Sequence, residues 1–163
     1  MKMRTMMSLG LAVGRNDIAR IEALCAEALR ADERDGMALM VLADTYWRNR
    51  QPEKALSPAP RALEVDSADF YALRIVAGIY ADRGEHALAH AFAKRLLTAG
   101  PPILPPTKAV SRILSPFAWL GKVRRLKERV KRDEMQSKTS YTDWVQWAKE
   151  YVAWYENSTQ SAP

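Results

Sequence analysis

The sequence predicts an all-α protein of stacked helical hairpins, and three observations predict it. Leu42-Ala43-x-x-Tyr46, Ala55 and Ala62-Leu63 recur as Val76-Ala77-x-x-Tyr80, Ala89 and Leu96-Leu97, every matched pair displaced by the same interval that separates Leu42 from Val76. A helix–turn–helix unit of about 34 residues has this period. The connections between apolar-periodic stretches are short, as at Arg15-Asn16, Arg50-Gln51 and Arg83-Gly84, which makes consecutive helices antiparallel neighbours. Composition agrees: 163 residues, 48% hydrophobic and 27% charged, suit one folded array with an appendage. A single hairpin of this length cannot bury its apolar face alone, so the units must stack, and stacking leaves a concave surface.

Along the chain, units are expected near 2–35, 36–69 and 70–103, with helices near 3–14, 17–32, 36–49, 52–66, 69–82 and 85–98. The first unit is the weakest. Leu9-Gly10-x-x-Val13 carries the first-helix pattern, and Ala28-Leu29 lies one full period before Ala62-Leu63, which leaves its first helix slightly out of register with its second. In the second unit Pro58 and Pro60 fall inside a helix, where each would delete a backbone hydrogen bond. A helix restarting at Ser57, with Ser57 as N-cap and both prolines in the first turn, resolves the conflict. Gly100-Pro101-Pro102 ends the array, and residues 101–106 read as a stiff Pro-rich linker.

The remainder, 107–163, reads as a C-terminal extension of two helices after a short one from Thr107 to Leu114. Ser115-Pro116 starts a basic amphipathic helix over 116–132, with Trp119, Val123, Leu126 and Val130 on one face. A last helix begins at Ser140 or Thr142, striped by Trp144, Trp147, Tyr151 and Trp154, and frays from Asn157 onward. The charge is concentrated. Residues 1–106 are nearly balanced, with 14 basic and 13 acidic side chains, whereas 107–135 carry nine basic against three acidic.

The repeat resembles the tetratricopeptide repeat (TPR) family, whose units read W-x-x-L-G-x-x-Y, then A-x-x-x-F, then P. The matches are Leu42, Ala43, Tyr46, Ala55 and Ala62 in one unit, and Val76, Ala77, Tyr80, Gly84, Ala89 and Pro101 in the next. Leu39 and Leu73 stand where the family has Trp, and the resemblance covers residues 9–102. It implies an α-solenoid of about three antiparallel helix pairs whose first helices line a groove. The inward positions would be Met37, Met40, Asp44, Trp47 and Arg48, then Tyr71, Arg74, Gly78 and Asp82, with Met7, Leu11 and Arg15 from the weak unit. The family's carboxylate clamp for chaperone tails is not expected, because Met7, Leu11, Met40 and Asp44 replace its Lys and Asn. The implied function is a non-catalytic adaptor, scaffold or co-chaperone that binds a peptide or helix segment of a partner protein.

Two other surfaces are candidates. Lys122, Arg124, Arg125, Lys127, Arg129, Lys131 and Arg132 would suit an acidic partner or an anionic membrane, making a peripheral membrane assembly factor the alternative reading. Nucleic acid is not an expected partner, since no recognition motif accompanies the charge. The stripe Trp144, Trp147, Tyr151 and Trp154 reads as core packed on a preceding helix, or as a homodimer contact.

Catalytic chemistry is not expected. The chain has no Gly-rich phosphate loop, no Cys pair and no HExxH, so no catalytic residue, cofactor or metal is assigned. His86 and His90 share a helix face, but no third ligand accompanies them and they read as exposed. Cys25 reads as a buried small hydrophobe, and a single cysteine fits a reducing compartment such as the cytoplasm. Residues 1–14 read either as a short signal peptide or as the first repeat helix, and the repeat favours the helix.

Overall fold

The computed structural model describes the backbone of residues 3–100 and 121–160, and the side chains of 5–100 and 140–160. All elements among the described residues are helices. They are α1 (Met3–Arg15), α2 (Ile18–Ala31), α3 (Gly36–Arg48), α4 (Pro52–Ala55), α5 (Pro58–Val65), α6 (Phe70–Asp82), α7 (His86–Thr98) and α8 (Gly121–Gln160). The chain divides into two compact units, Met1–Gly100 with Ala148–Pro163, and Pro101–Trp147.

In the first unit each helix packs on its chain neighbour: α1 on α2, α2 on α3, α3 on α4 and α5, α5 on α6, and α6 on α7. In addition α3 reaches α6 directly. The starts of the helices are set by aspartates. Asp17, Asp35 and Asp69 accept hydrogen bonds from the amides of Arg20, Ala38 and Ala72 at 3.0, 3.1 and 2.9 Å. Each such N-cap is worth about 1 kcal/mol.

The ends of α1, α3 and α6 share one geometry. Asn16, Arg50 and Gly84, evenly spaced at the repeat period, take left-handed φ values of 52°, 56° and 75°. The next amide, of Asp17, Gln51 and Glu85, reaches back to the carbonyl of Ala12, Tyr46 and Tyr80 at 3.0, 2.9 and 2.9 Å. This ending satisfies the last carbonyls and turns the chain sharply into the next helix. It also corrects the register expected for α1. Ala12, not Val13, takes the place of Tyr46 and Tyr80, so Leu9 takes the place of Ala43 and Ala77. Ala12 is too small to be recognised as the counterpart of a tyrosine.

Of the three turns only the last has glycine, and a Cβ there would touch nothing within 4 Å. Gly84→Ala should therefore cost conformational strain alone, about 1 kcal/mol, read as a lower midpoint in urea unfolding.

The core repeats as well. Ala38, Leu39 and Ala43 of α3 and Ala72, Leu73 and Ala77 of α6 are all within 1% of complete burial. Cys25, Ala59 and Ala93, again one period apart on α2, α5 and α7, are fully buried. Small side chains at these contacts let helix axes approach, and the leucines fill the space between layers. Burial pushes the Cys25 thiol up to about 11, with Asp35 adding to the effect. It is an inert packing residue, as its sequence position implied.

The second helix of the middle hairpin is split into α4 and α5 at Leu56-Ser57, as its prolines dictate. The expected cap is absent, however. Ser57 has helical φ and ψ of −79° and −55° and makes no side-chain capping bond. Capping needs an extended residue at that place. The interruption thus comes from the prolines alone, and the chain kinks without unwinding.

The C-terminal extension differs from expectation. In place of two helices there is one, Gly121–Gln160, of 40 residues. Between Gly121 and Gln160 the sequence has neither Gly nor Pro, and the Ser/Thr-rich stretch 137–142 is a weak helix former without being a breaker. The helix also runs past Asn157. The hydroxyls of Ser158 and Thr159 donate to the carbonyls of Trp154 and Tyr155 at 2.8 and 3.1 Å, holding the last turn. In the second unit Trp144 and Trp147 meet edge to face, 5.1 Å between ring centres. The linker 101–106, the helix expected over 107–114, the start at Ser115-Pro116 and Trp119 lie outside the described residues.

Candidate interaction surfaces

Four of the residues expected to line a groove are brought together where α3 meets α6. The Arg74 guanidinium donates to the Asp44 carboxylate, and Arg48, one turn along α3, pairs with the other carboxylate oxygen. Arg74 also lies over the ring of Tyr71, its guanidinium carbon 5.3 Å from the ring centre. The Asp44 and Arg74 side chains retain only 12% and 11% of their exposure, whereas Arg48 keeps 60%. Burial lowers the affinity of Arg74 for its proton, and the Asp44 carboxylate opposes that loss. Asp44 and Arg74 thus tie two helices together, and Arg48 is the part of the cluster that faces solvent.

The other expected groove residues lie outside this cluster. Met37, in the first turn of α3, is 47% exposed, Met40 and Trp47 are half-buried, Gly78 is buried and Asp82, closing α6, is exposed. From α1, Met7 and Leu11 are 69% and 64% exposed, and Arg15 is exposed.

A second cluster covers α7, and it corrects the expectation that His86 and His90 are exposed. His86 Nδ1 and the Tyr151 hydroxyl share a hydrogen bond of 2.7 Å, and the Trp154 ring sits edge-on to the imidazole at 5.0 Å. His90 packs on Tyr155 at 4.6 Å, and its Nε2 lies 3.2 Å from Glu156, which also accepts from Lys94 at 2.8 Å. Within the first unit, therefore, Tyr151 and Trp154 of the aromatic stripe are packed on α7, although Trp154 remains 48% exposed. Trp144 and Trp147 belong to the other unit. No group of three metal-ligating side chains occurs among the described residues.

The Lys94 ammonium, and then His90, hold the Glu156 carboxyl below its ordinary value. A depressed carboxylate stabilises the folded arrangement above the unfolded value, about 4.3, and the contribution is lost as pH falls through the lower folded value. Contact of residues 151–156 with α7 should accordingly loosen below about pH 4. Tryptophan emission followed across an acid titration checks this, and Glu156→Gln should abolish the acid step.

Between α2, α3 and the split second helix lies an open cleft of about 290 Å³, lined by Leu29, Leu39, Leu42, Tyr46, Lys54, Ser57, Pro58 and Arg61. No motif in the sequence marks it. Its signal is the repeat offset, which sets Pro58 opposite Phe92.

Lys122, Arg124, Arg125, Lys127, Arg129, Lys131 and Arg132 fall within α8, with side chains outside the described residues. No helix among the described residues is long and apolar enough to cross a membrane. Neither protein-family models nor curated proteins match this sequence.

Proposed function

We propose that this chain is a non-catalytic protein-interaction module, a TPR-like array of three helical hairpins that holds a segment of a partner protein against the first helices α1, α3 and α6. The observation that carries this reading is that Met7, Leu11 and Met37 are exposed and Met40, Trp47 and Tyr71 half-buried, all of them on first helices. Methionine surfaces adapt to different apolar partners, and Trp, Tyr and Arg anchor interfaces. Support for the array comes from the caps, left-handed turns and buried alanines that recur at the repeat length. Arg48 is an exposed cation of the face and suits an acidic group on the partner.

The test is affinity capture from the source cell extract with the wild-type chain and with Met37→Asp/Trp47→Ala, after checking that both unfold at the same temperature. A protein retained by the wild type and lost by the double variant supports the assignment. Identical captures from both remove it. Arg74 is unsuitable as a binding probe, because its replacement would take from the buried Asp44 carboxylate its buried partner and leave only Arg48, and so disturb the α3–α6 contact.

A further inference from the structure

The middle hairpin lacks a ring that the last hairpin has. Tyr46, Pro58 and Arg61 recur one period later as Tyr80, Phe92 and Arg95. In the later seam Phe92 stacks on Tyr80, 5.8 Å between centres and 15° from parallel, and the Arg95 guanidinium carbon lies 5.3 Å from the Phe92 ring centre. Both arginines are aimed alike: Arg95 donates to the carbonyl of Ser67 at 2.9 Å, and Arg61 to that of Glu33 at 3.1 Å. Pro58 carries no aromatic ring to set between Tyr46 and Arg61, and a cleft of about 290 Å³ lined by all three residues opens there.

The surroundings register the gap. Leu63 and Val76, in the later seam, are 8% and 0% exposed, while their counterparts Leu29 and Leu42 are only half-buried. The first seam has no such gap, with Ala12 and Leu24 at the Tyr46 and Pro58 positions, both buried. The rim differs in charge as well. Lys54, its ammonium 5.6 Å from the Tyr46 ring centre, stands where the later seam has Leu88. Two acids of the flanking helices are already engaged: Glu22 accepts from the Tyr46 hydroxyl at 2.9 Å, and Glu53 pairs with Arg83. An apolar, ring-sized hollow with a basic rim is thus open to solvent.

We propose that this cleft receives an aromatic side chain from an acidic segment of a partner protein, its ring on Tyr46 as Phe92 lies on Tyr80, with neighbouring carboxylates at Lys54 and Arg61. The site is separate from the face of α3 and α6 and does not depend on that assignment. At this volume, near the lower bound of about 300 Å³ for small-ligand pockets, it accommodates one side chain. Ring stacking and the cationic rim supply recognition together.

The experiment is a titration of the isotope-labelled full chain by NMR, with N-acetyl-phenylalaninate as probe and its neutral amide as control. The wild type should show saturable shifts at the amides of Leu42, Tyr46 and Arg61, with a dissociation constant on the order of millimolar. The neutral amide should bind roughly two- to fivefold more weakly. Pro58→Phe, which puts a ring of this chain in the hollow, should raise the melting temperature by about 2–4 °C and remove the probe shifts. Arg61→Gln, at an exposed position, should weaken the acid roughly threefold and the amide less. Absence of saturable shifts in the wild type overturns the proposal, as does equal binding by Pro58→Phe. Should that variant fail to fold, unchanged acid affinity in Arg61→Gln overturns it. Concentration-dependent shifts at the same amides without probe, accompanied by a sedimenting dimer, would seat a second copy there and equally overturn the partner assignment.

Discussion

Asp44→Ala should lower the unfolding free energy by about 3–5 kcal/mol, the largest loss expected from any single polar substitution in this chain. Asp44 is the counter-charge of a guanidinium whose side chain is only 11% exposed, at the contact between α3 and α6. Removing the carboxylate leaves the Arg74 charge buried and ends the hold on Arg48. The sign for the pair as a unit is different. Taking charges out of water is costly, so Asp44→Leu/Arg74→Met should recover most of the loss and can equal the wild type. Urea unfolding of the two single variants and the double variant measures this. A double variant as unstable as Asp44→Ala would show that the pair, and not merely the stranded charge, supports the contact.

Leu73→Ala is the second. Leu73 has no exposed surface, and residues 72–79 are all buried, so α6 is enclosed around its circumference by α3, α5 and α7. A helix so enclosed cannot collapse easily onto a deleted side chain, and the cost is both the lost transfer energy and the cavity. About 3–4 kcal/mol is expected, near the middle to upper part of the range for buried leucines. Thermal and urea unfolding check it. A loss under about 1 kcal/mol would mean that the hairpins slide to close the gap, contrary to tight stacking.

The parts of this fold that a sequence displays are those repeated locally. Ala43 and Ala77, Asp35 and Asp69, and the short turns are readable because each acts within one hairpin and then acts again in the next. The register of α1 is obscured because Ala12 does a tyrosine's geometric job with a methyl group. What lies outside local reach is pairing across distance. Asp44 meets Arg74 over 30 positions and His86 meets Tyr151 over 65, and no periodicity encodes either. In the sequence Asp44 and Arg74 accordingly look groove-facing and His86 exposed, while Tyr151 reads as core without a named partner. The expected break between 132 and a new start at Ser140 or Thr142 is absent because Ser and Thr, which favour helix starts, are also carried inside a helix. A helix continues through a change of face as long as no Gly or Pro interrupts it. As for the candidate surfaces, exposed Met37 and Arg48 are legible, while the cleft at Pro58 requires comparing one seam with the next.

Cys25 makes the chain its own stability gauge. Its sulfur has no solvent contact, and its proton is held up to about 11, so a thiol reagent modifies it only when α2 lifts from its neighbours. Among the described helices α1 packs mainly on α2, and α2 on α1 and α3, so the first hairpin can open before the others. The alkylation rate of this one thiol, set beside global unfolding, therefore separates fraying of the first hairpin from melting of the whole, with no engineered probe required.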